Sequence, residues 1–272
     1  MGNLSLAKTL SVFLVEPSPV QAKFIAAELK MVGVARIRVF ETGAAALDEM
    51  RVSAPSVVIS ALYLPDMSGT DLVYAMRDDP LLMDVAFVLV SSETRPQVLE
   101  PVRQSGACGI LPKPFTDKQL RTVLSTTLDY LNPDSSLLAE HVDLEEIVVL
   151  IVDDSVTSRH YVRHVFENLG VTRFLEARNG REAVGILEGT LVDLVITDFN
   201  MPEMDGQALV EHIRKRSWQK SVPVLMVTSE QNMNRLAGME EFGVAGICNK
   251  PFVVEVIKPL LAKILAEHQQ DH

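Results

Sequence analysis

Cysteine is nearly absent from this chain: Cys108 and Cys248 are the only two among 272 residues. Two thiols so far apart in sequence supply neither a disulfide framework nor a metal knuckle, and they suit a reducing, cytoplasmic setting. No apolar run approaches the ~18 residues of a membrane span and no secretory signal precedes the first apolar stretch, so membrane insertion is not expected. The opening residues fall short of a myristoylation signal, because Leu6 stands where Ser or Thr is required. Positive charge is in deficit too, with 25 Lys and Arg against 36 Asp and Glu and a net charge of −11. That balance argues against nucleic-acid binding, whose footprint is a basic patch.

Aromatics are scarce at 6%, whereas hydrophobic residues reach 47%. The implied core is aliphatic, as in buried parallel strands flanked by helices. The length suits two domains better than one. Charge is spread unevenly: residues 1–128 hold 12 basic and 13 acidic residues, 129–146 hold 6 acids and no base, and 147–272 hold 13 bases and 17 acids.

The chain is one unit written twice. A shift of 137 residues superposes Gly33 on Gly170, Gly43 on Gly180, Pro65 on Pro202 and Gly69 on Gly206. The same shift lays Ser92-Glu93 on Ser229-Glu230, Gly109-Ile110 on Gly246-Ile247, and Lys113-Pro114-Phe115 on Lys250-Pro251-Phe252. No gap is needed, so this is a true internal repeat.

Each copy alternates short apolar runs with helical stretches. In the second copy the runs at 147–152, 172–176, 192–197, 222–228 and 245–249 suit strands buried on both faces. Helices are predicted over 155–169, 180–188, 206–216, 231–242 and 253–267. The first of them opens at Ser155, a good N-cap, and stops at Gly170. The predicted fold class is α/β: two tandem doubly wound, five-stranded parallel (βα)5 domains, at 8–131 and 147–268. An acidic linker is expected at 132–146, with a short helix possible at 136–142. The strand order is not legible.

Sites in doubly wound sheets form at the carboxyl ends of the strands. In the second copy those ends carry Asp153 and Asp154, then Asp198, Thr228 and Lys250. Three carboxylates and one ammonium give the crevice a formal charge of about −2, and two carboxylates ~4 Å apart repel by several kcal/mol at an effective dielectric of ~20. A divalent cation relieves that repulsion, and an all-oxygen ligand set of this kind suits Mg²⁺.

The set Asp-Asp, Asp, Thr, Lys at these strand ends resembles the receiver domains of bacterial response regulators. The stretches Asp198-Phe199-Asn200-Met201-Pro202-Glu203-Met204-Asp205-Gly206 and Asn249-Lys250-Pro251-Phe252 are similar to the chemotaxis-regulator type. The resemblance covers nearly the whole chain, twice. It implies that Asp198 accepts a phosphoryl group from a histidine kinase or phosphotransfer protein. Asp153, Asp154, Asp198 and the backbone carbonyl of Asn200 would hold Mg²⁺, while Lys250 pairs with the phosphoryl oxygens and Thr228 moves its hydroxyl toward them. Asn200 and Glu230 fall where the family tunes dephosphorylation. The family's switch aromatic, three residues before the lysine, is replaced here by Ile247.

The same positions in the first copy read Glu16, Pro17, Ala61, Ser91 and Lys113. A methyl group accepts no phosphoryl, so Ala61 marks a degenerate pseudo-receiver. Ser60 matches Thr197 and should face away from the crevice, because neighbouring strand residues point to opposite faces. Glu16 and Lys113 can neutralise each other, leaving no excess charge for a metal.

Weaker signals remain. His160 and His164 have a zinc-compatible i, i+4 spacing but no third ligand, so they are expected to be surface residues. With Arg159 and Arg163 they could form part of a docking face for the phosphodonor. The final helix is apolar on more than one stripe, which suits either an interface or burial, and Pro259 should bend it.

The expected function is a phosphorelay response regulator without an attached output domain, acting on an unknown downstream protein. It is not a conventional enzyme, binds neither nucleic acid nor membrane, and is a possible homodimer. The alternatives are a phosphorylation-independent scaffold and a phosphate sink for a kinase.

Overall fold

The computed structural model describes residues 9–132, 144–229 and 243–250, together with 257, 259 and 261. The chain divides into two compact units, Met1–Asn132 and Pro133–His272.

In the first unit, strands β1 (Ser11–Val15), β2 (Arg36–Phe40), β3 (Val57–Ala61), β4 (Ala86–Ser91) and β5 (Gly109–Pro112) alternate with helices. These are α1 (Pro19–Met31), α2 (Gly43–Val52), α3 (Gly69–Arg77), α4 (Pro96–Gln104) and α5 (Asp117–Leu131). All strand pairs are parallel, in the order β2-β1-β3-β4-β5.

In the second unit, the first described element is a 3-10 turn, Leu144–Glu146. Leu144 is buried and Thr172 donates to the Glu145 carbonyl, so these residues pack with the unit that follows. Strands β6 (Val148–Val152), β7 (Arg173–Ala177), β8 (Leu194–Thr197), β9 (Val224–Thr228) and β10 (Gly246–Asn249) form a parallel sheet in the order β7-β6-β8-β9-β10. Helices α6 (Val156–Leu169), α7 (Gly180–Gly189) and α8 (Gly206–Lys215) lie between them in sequence. The order is that of the first sheet, strand for strand.

Sheet position explains the strand compositions. Strands β3, β4, β8 and β9 are buried at every residue and are almost wholly apolar. The run at 172–176 was expected to be buried on both faces, but β7 is an edge strand with Arg173 and Glu176 exposed. A strand bonded on one side only, beside solvent, tolerates such charges. The matching β2 is exposed in the same way.

The helix boundaries follow local chemistry. Ser155 accepts from the Ser158 backbone N–H to open α6, and Gly170, at φ 107°, closes it in the left-handed conformation that glycine adopts without strain. Gly206 serves a different need: α8 starts against the end of β8, and a Cβ there would collide with the Asp198 carbonyl oxygen. Gly69 meets Ala61 in the same manner. The helix expected over 231–242 and the possible one at 136–142 lie outside the described residues. Of the final helix, Ile257 and Leu261 are helical and fully buried, and Pro259 is helical and exposed.

Candidate functional site

Strand pairing gathers the site of the second unit. The Asp198 N–H donates to the Val152 carbonyl, Asp153 N–H to Ala177, and Lys250 N–H to Thr228, at 2.8, 3.1 and 2.8 Å. These three bonds set the ends of neighbouring strands side by side. Asp153, Asp198, Thr228 and Lys250 are all buried, and Asp154 is exposed at the rim.

Carboxylate oxygens of Asp153, Asp154 and Asp198 lie within 4.8 Å of one another. The Lys250 ammonium is 2.5 Å from Asp153 Oδ2 and 3.5 Å from Asp198 Oδ1. Asp153 is well held: its Oδ1 accepts from the Ser155 N–H at 2.9 Å and its Oδ2 from the Ser158 hydroxyl at 2.6 Å. Asp198 is not. Both of its oxygens are buried and neither accepts a hydrogen bond. Burial pushes this carboxyl up to about 7; Lys250 pulls it back and Asp153 pushes it further up.

Three clustered carboxylates share the single Lys250 ammonium, and the excess negative charge is costly unless a further cation offsets it. The oxygen-only donor set fits a hard divalent ion such as Mg²⁺. Residues matching the remaining expectations are placed as follows. Asn200 is exposed two residues beyond Asp198, and Ile247 is half-buried against the core. Glu230 lies outside the described residues.

The corresponding crevice of the first unit is closed on itself. Lys113 Nζ lies 2.7 Å from Glu16 Oε2 and 2.5 Å from Gln21 Oε1, and Glu16 Oε1 accepts from the Ser18 N–H. Ala61 is buried where Asp198 stands in the other unit. Ser91 Oγ accepts from the Glu93 N–H at 3.0 Å. Pro17 sits at the position of Asp154 and supplies no ligand atom. Ser60 is fully buried and donates its hydroxyl to the Ala61 carbonyl, as Thr197 does to Asp198, so it faces away from the crevice as its strand position requires.

Two contributors escaped the sequence reading. Arg159 is buried, donating to the Asp153 carbonyl at 2.7 Å and to Glu176 at 3.0 Å. It is therefore no part of an exposed docking face with Arg163. Its guanidinium turns inward because the carbonyl behind the site needs a donor. Ser158, just before it, reaches the Asp153 carboxylate. The available signal was position: both lie in the first turn of the helix that follows Asp153. His164 hydrogen-bonds with Asn168, the two histidine rings stack at 6.5 Å, and neither belongs to a metal-compatible cluster of three or more ligands among the described residues.

Comparison with known proteins agrees with this geometry. The response regulator receiver domain family matches residues 12–125 and again 149–262. The chain belongs to the response regulator receiver family. It is similar to chemotaxis protein CheY of Pseudomonas aeruginosa, 37% identical over 116 residues, 43% of this chain and 94% of that protein. It is similar also to chemotaxis protein CheY-3 of Vibrio cholerae, 38% identical over 43% of this chain and 89% of that one. Among solved structures, CheY4 of Vibrio cholerae is 34% identical with a TM-score of 0.40, covering 44% of this chain and 98% of its own. Tandem receivers are signalling modules of two-component systems, which interact with histidine kinases or phosphotransfer proteins. No described helix is long and apolar enough to cross a membrane.

Proposed function

We propose that the second receiver takes one phosphoryl group on Asp198 in a Mg²⁺-dependent reaction, and that the first receiver is a non-phosphorylated interaction module. The observation that carries this reading is the contrast between the crevices. Asp198 offers two buried oxygens that accept no hydrogen bond, whereas the first crevice has a methyl group at that point.

An Asp198 oxygen attacks the phosphorus of a phosphohistidine donor. A P–O bond forms, the P–N bond breaks, and the leaving imidazole keeps the electron pair and takes a proton. Asp153, Asp154, Asp198 and the Asn200 carbonyl would hold Mg²⁺, which when bound offsets the negative charge of carboxylates and phosphoryl. Lys250, within 3.5 Å of Asp198, pairs with a phosphoryl oxygen. Thr228 donates its hydroxyl to another. The altered surface beyond β9 and β10 is then read by a partner protein. With Ile247 in place of an aromatic, the switch works through Thr228 and the backbone.

Intact-mass measurement after incubation with a small phosphodonor tests this. One phosphoryl group should appear only with Mg²⁺ and vanish in Asp198→Ala, while Ser60→Ala leaves it unchanged. Undiminished labelling of Asp198→Ala refutes the assignment. Binding partners that ignore Asp198→Ala altogether would favour a phosphorylation-independent scaffold.

A further inference from the structure

Helix α1 of the first receiver is apolar on two sides, and the fold uses one of them. Ala22, Ile25 and Leu29 are buried in the domain. Facing away, Val20, Phe24 and Met31 are 78%, 53% and 67% exposed, and Ala27 between them is exposed as well. Single exposed apolar residues are ordinary, but an uninterrupted row along a helix marks an interface.

The receiver fold does not demand this row. Its counterparts in α6, by the 137-residue shift, are Thr157, Tyr161, His164 and Asn168. Tyr161 is buried and the other three are polar.

The spacing says what covers it. Positions 20, 24, 27 and 31 follow the alternating four-and-three rhythm of the d and a seam of a two-stranded coiled coil. With Phe24 at a, Lys23 falls at g and Glu28 at the following e. In a parallel pair, g of one helix meets the next e of its partner, so Lys23 attracts Glu28 twice across the two-fold axis. An antiparallel pair would instead set g against g and bring Lys23 near Lys30. The row is thus complementary to itself in one orientation, as a symmetric dimer requires.

We propose that the first receiver forms a parallel homodimer through α1, with a second copy of this chain on the Val20, Phe24, Ala27, Met31 row. Phe24 is its anchor. The Phe115 ring lies against it, centroids 5.8 Å apart, and holds it in place. A helix of 13 residues supplies fewer than two heptads, so the dimer is weak and concentration-dependent. It requires no phosphoryl group.

Sedimentation equilibrium of the full chain over a hundredfold range of concentration tests the proposal. A monomer–dimer equilibrium is expected. Phe24→Glu should lower association at least about tenfold, because it buries unpaired charge in the seam. Lys23→Glu and Glu28→Lys should each weaken it several-fold, and the double exchange should restore it. Ala27→Cys should give a covalent dimer on mild oxidation, since d residues face each other across the axis and both native cysteines are buried. A chain that stays monomeric throughout overturns the proposal. So does a dimer indifferent to Phe24→Glu, or a double exchange no better than either single change.

Discussion

The ammonium of Lys113 lies 2.7 Å from Glu16 Oε2, the same pairing that Lys250 makes with Asp153 at 2.5 Å in the second receiver. The lysine–acid pair is therefore common to both crevices. What separates them is the carboxylate that the pair leaves over. In the second receiver Asp154 and Asp198 remain; in the first, Pro17 and Ala61 leave none.

Restoring the acceptor alone should not restore the site. In an Asp198→Ala background, Ala61→Asp adds one carboxylate beside a lysine already engaged by Glu16 and Gln21. Intact mass should show no phosphoryl adduct in the time that saturates the wild type. Adding Pro17→Asp brings the surplus to two charges, and Mg²⁺-dependent uptake should then become detectable. Full labelling of the single restoration would show that the charge surplus is not required.

Arg159 should matter to the metal site without touching it. Its removal strips a charged donor from the Asp153 carbonyl and a partner from Glu176. Arg159→Ala should cost about 1.5–3 kcal/mol of stability, the usual worth of a hydrogen bond to a charged group. Calorimetric Mg²⁺ titration should show weaker binding than wild type, with Arg159→Lys intermediate. Unchanged affinity would confine the residue to a purely structural role.

Three glycines should behave differently. Gly206→Ala and Gly69→Ala drive a methyl group into the carbonyl at the end of the neighbouring strand and should each cost about 1–3 kcal/mol in urea unfolding. Gly185 lies in the interior of α7 with open space where its Cβ would stand. Gly185→Ala should stabilise by about 0.5–1 kcal/mol through helix propensity. Equal effects at 206 and 185 would mean that the backbone approach is looser than observed.

Alkaline pH should unfold the first receiver partly through Cys108. Complete burial pushes this thiol up to about 11, from 9.0. The folded pKa lies above the unfolded one, so the stabilisation is full below about pH 9 and is lost as pH rises toward 11. Urea midpoints measured from pH 8 to pH 10.5 should fall, and Cys108→Ala should flatten that slope. Alkylation at pH 8 should be negligible until the domain unfolds.

Legibility followed the range of the interactions involved. Ser155 and Gly170 bound a helix through contacts a few residues long, so that helix is evident in the chain. The partners of Arg159 lie six and seventeen residues away, on the site turn and on another strand. Nothing in a row of helical residues distinguishes an arginine facing inward from one facing solvent. The edge position of β7, by contrast, is legible in Arg173 and Glu176, charges that a strand buried on both faces would not carry.

The sequence by itself determined that the chain is a duplicated βα unit, that strand-end residues in one copy carry three carboxylates and a lysine, and that the other copy has alanine where the third carboxylate stands. Those features are period, spacing and residue identity, all written along the chain. Only the tertiary structure decided the strand order, and with it which ends lie adjacent. It also decided that Asp153 is held by Ser155, Ser158 and Lys250 while Asp198 stays buried with no hydrogen bond and only Lys250 at 3.5 Å. The reason is that hydrogen-bond satisfaction and desolvation depend on neighbours as far as 97 residues away, and folding alone brings them within reach.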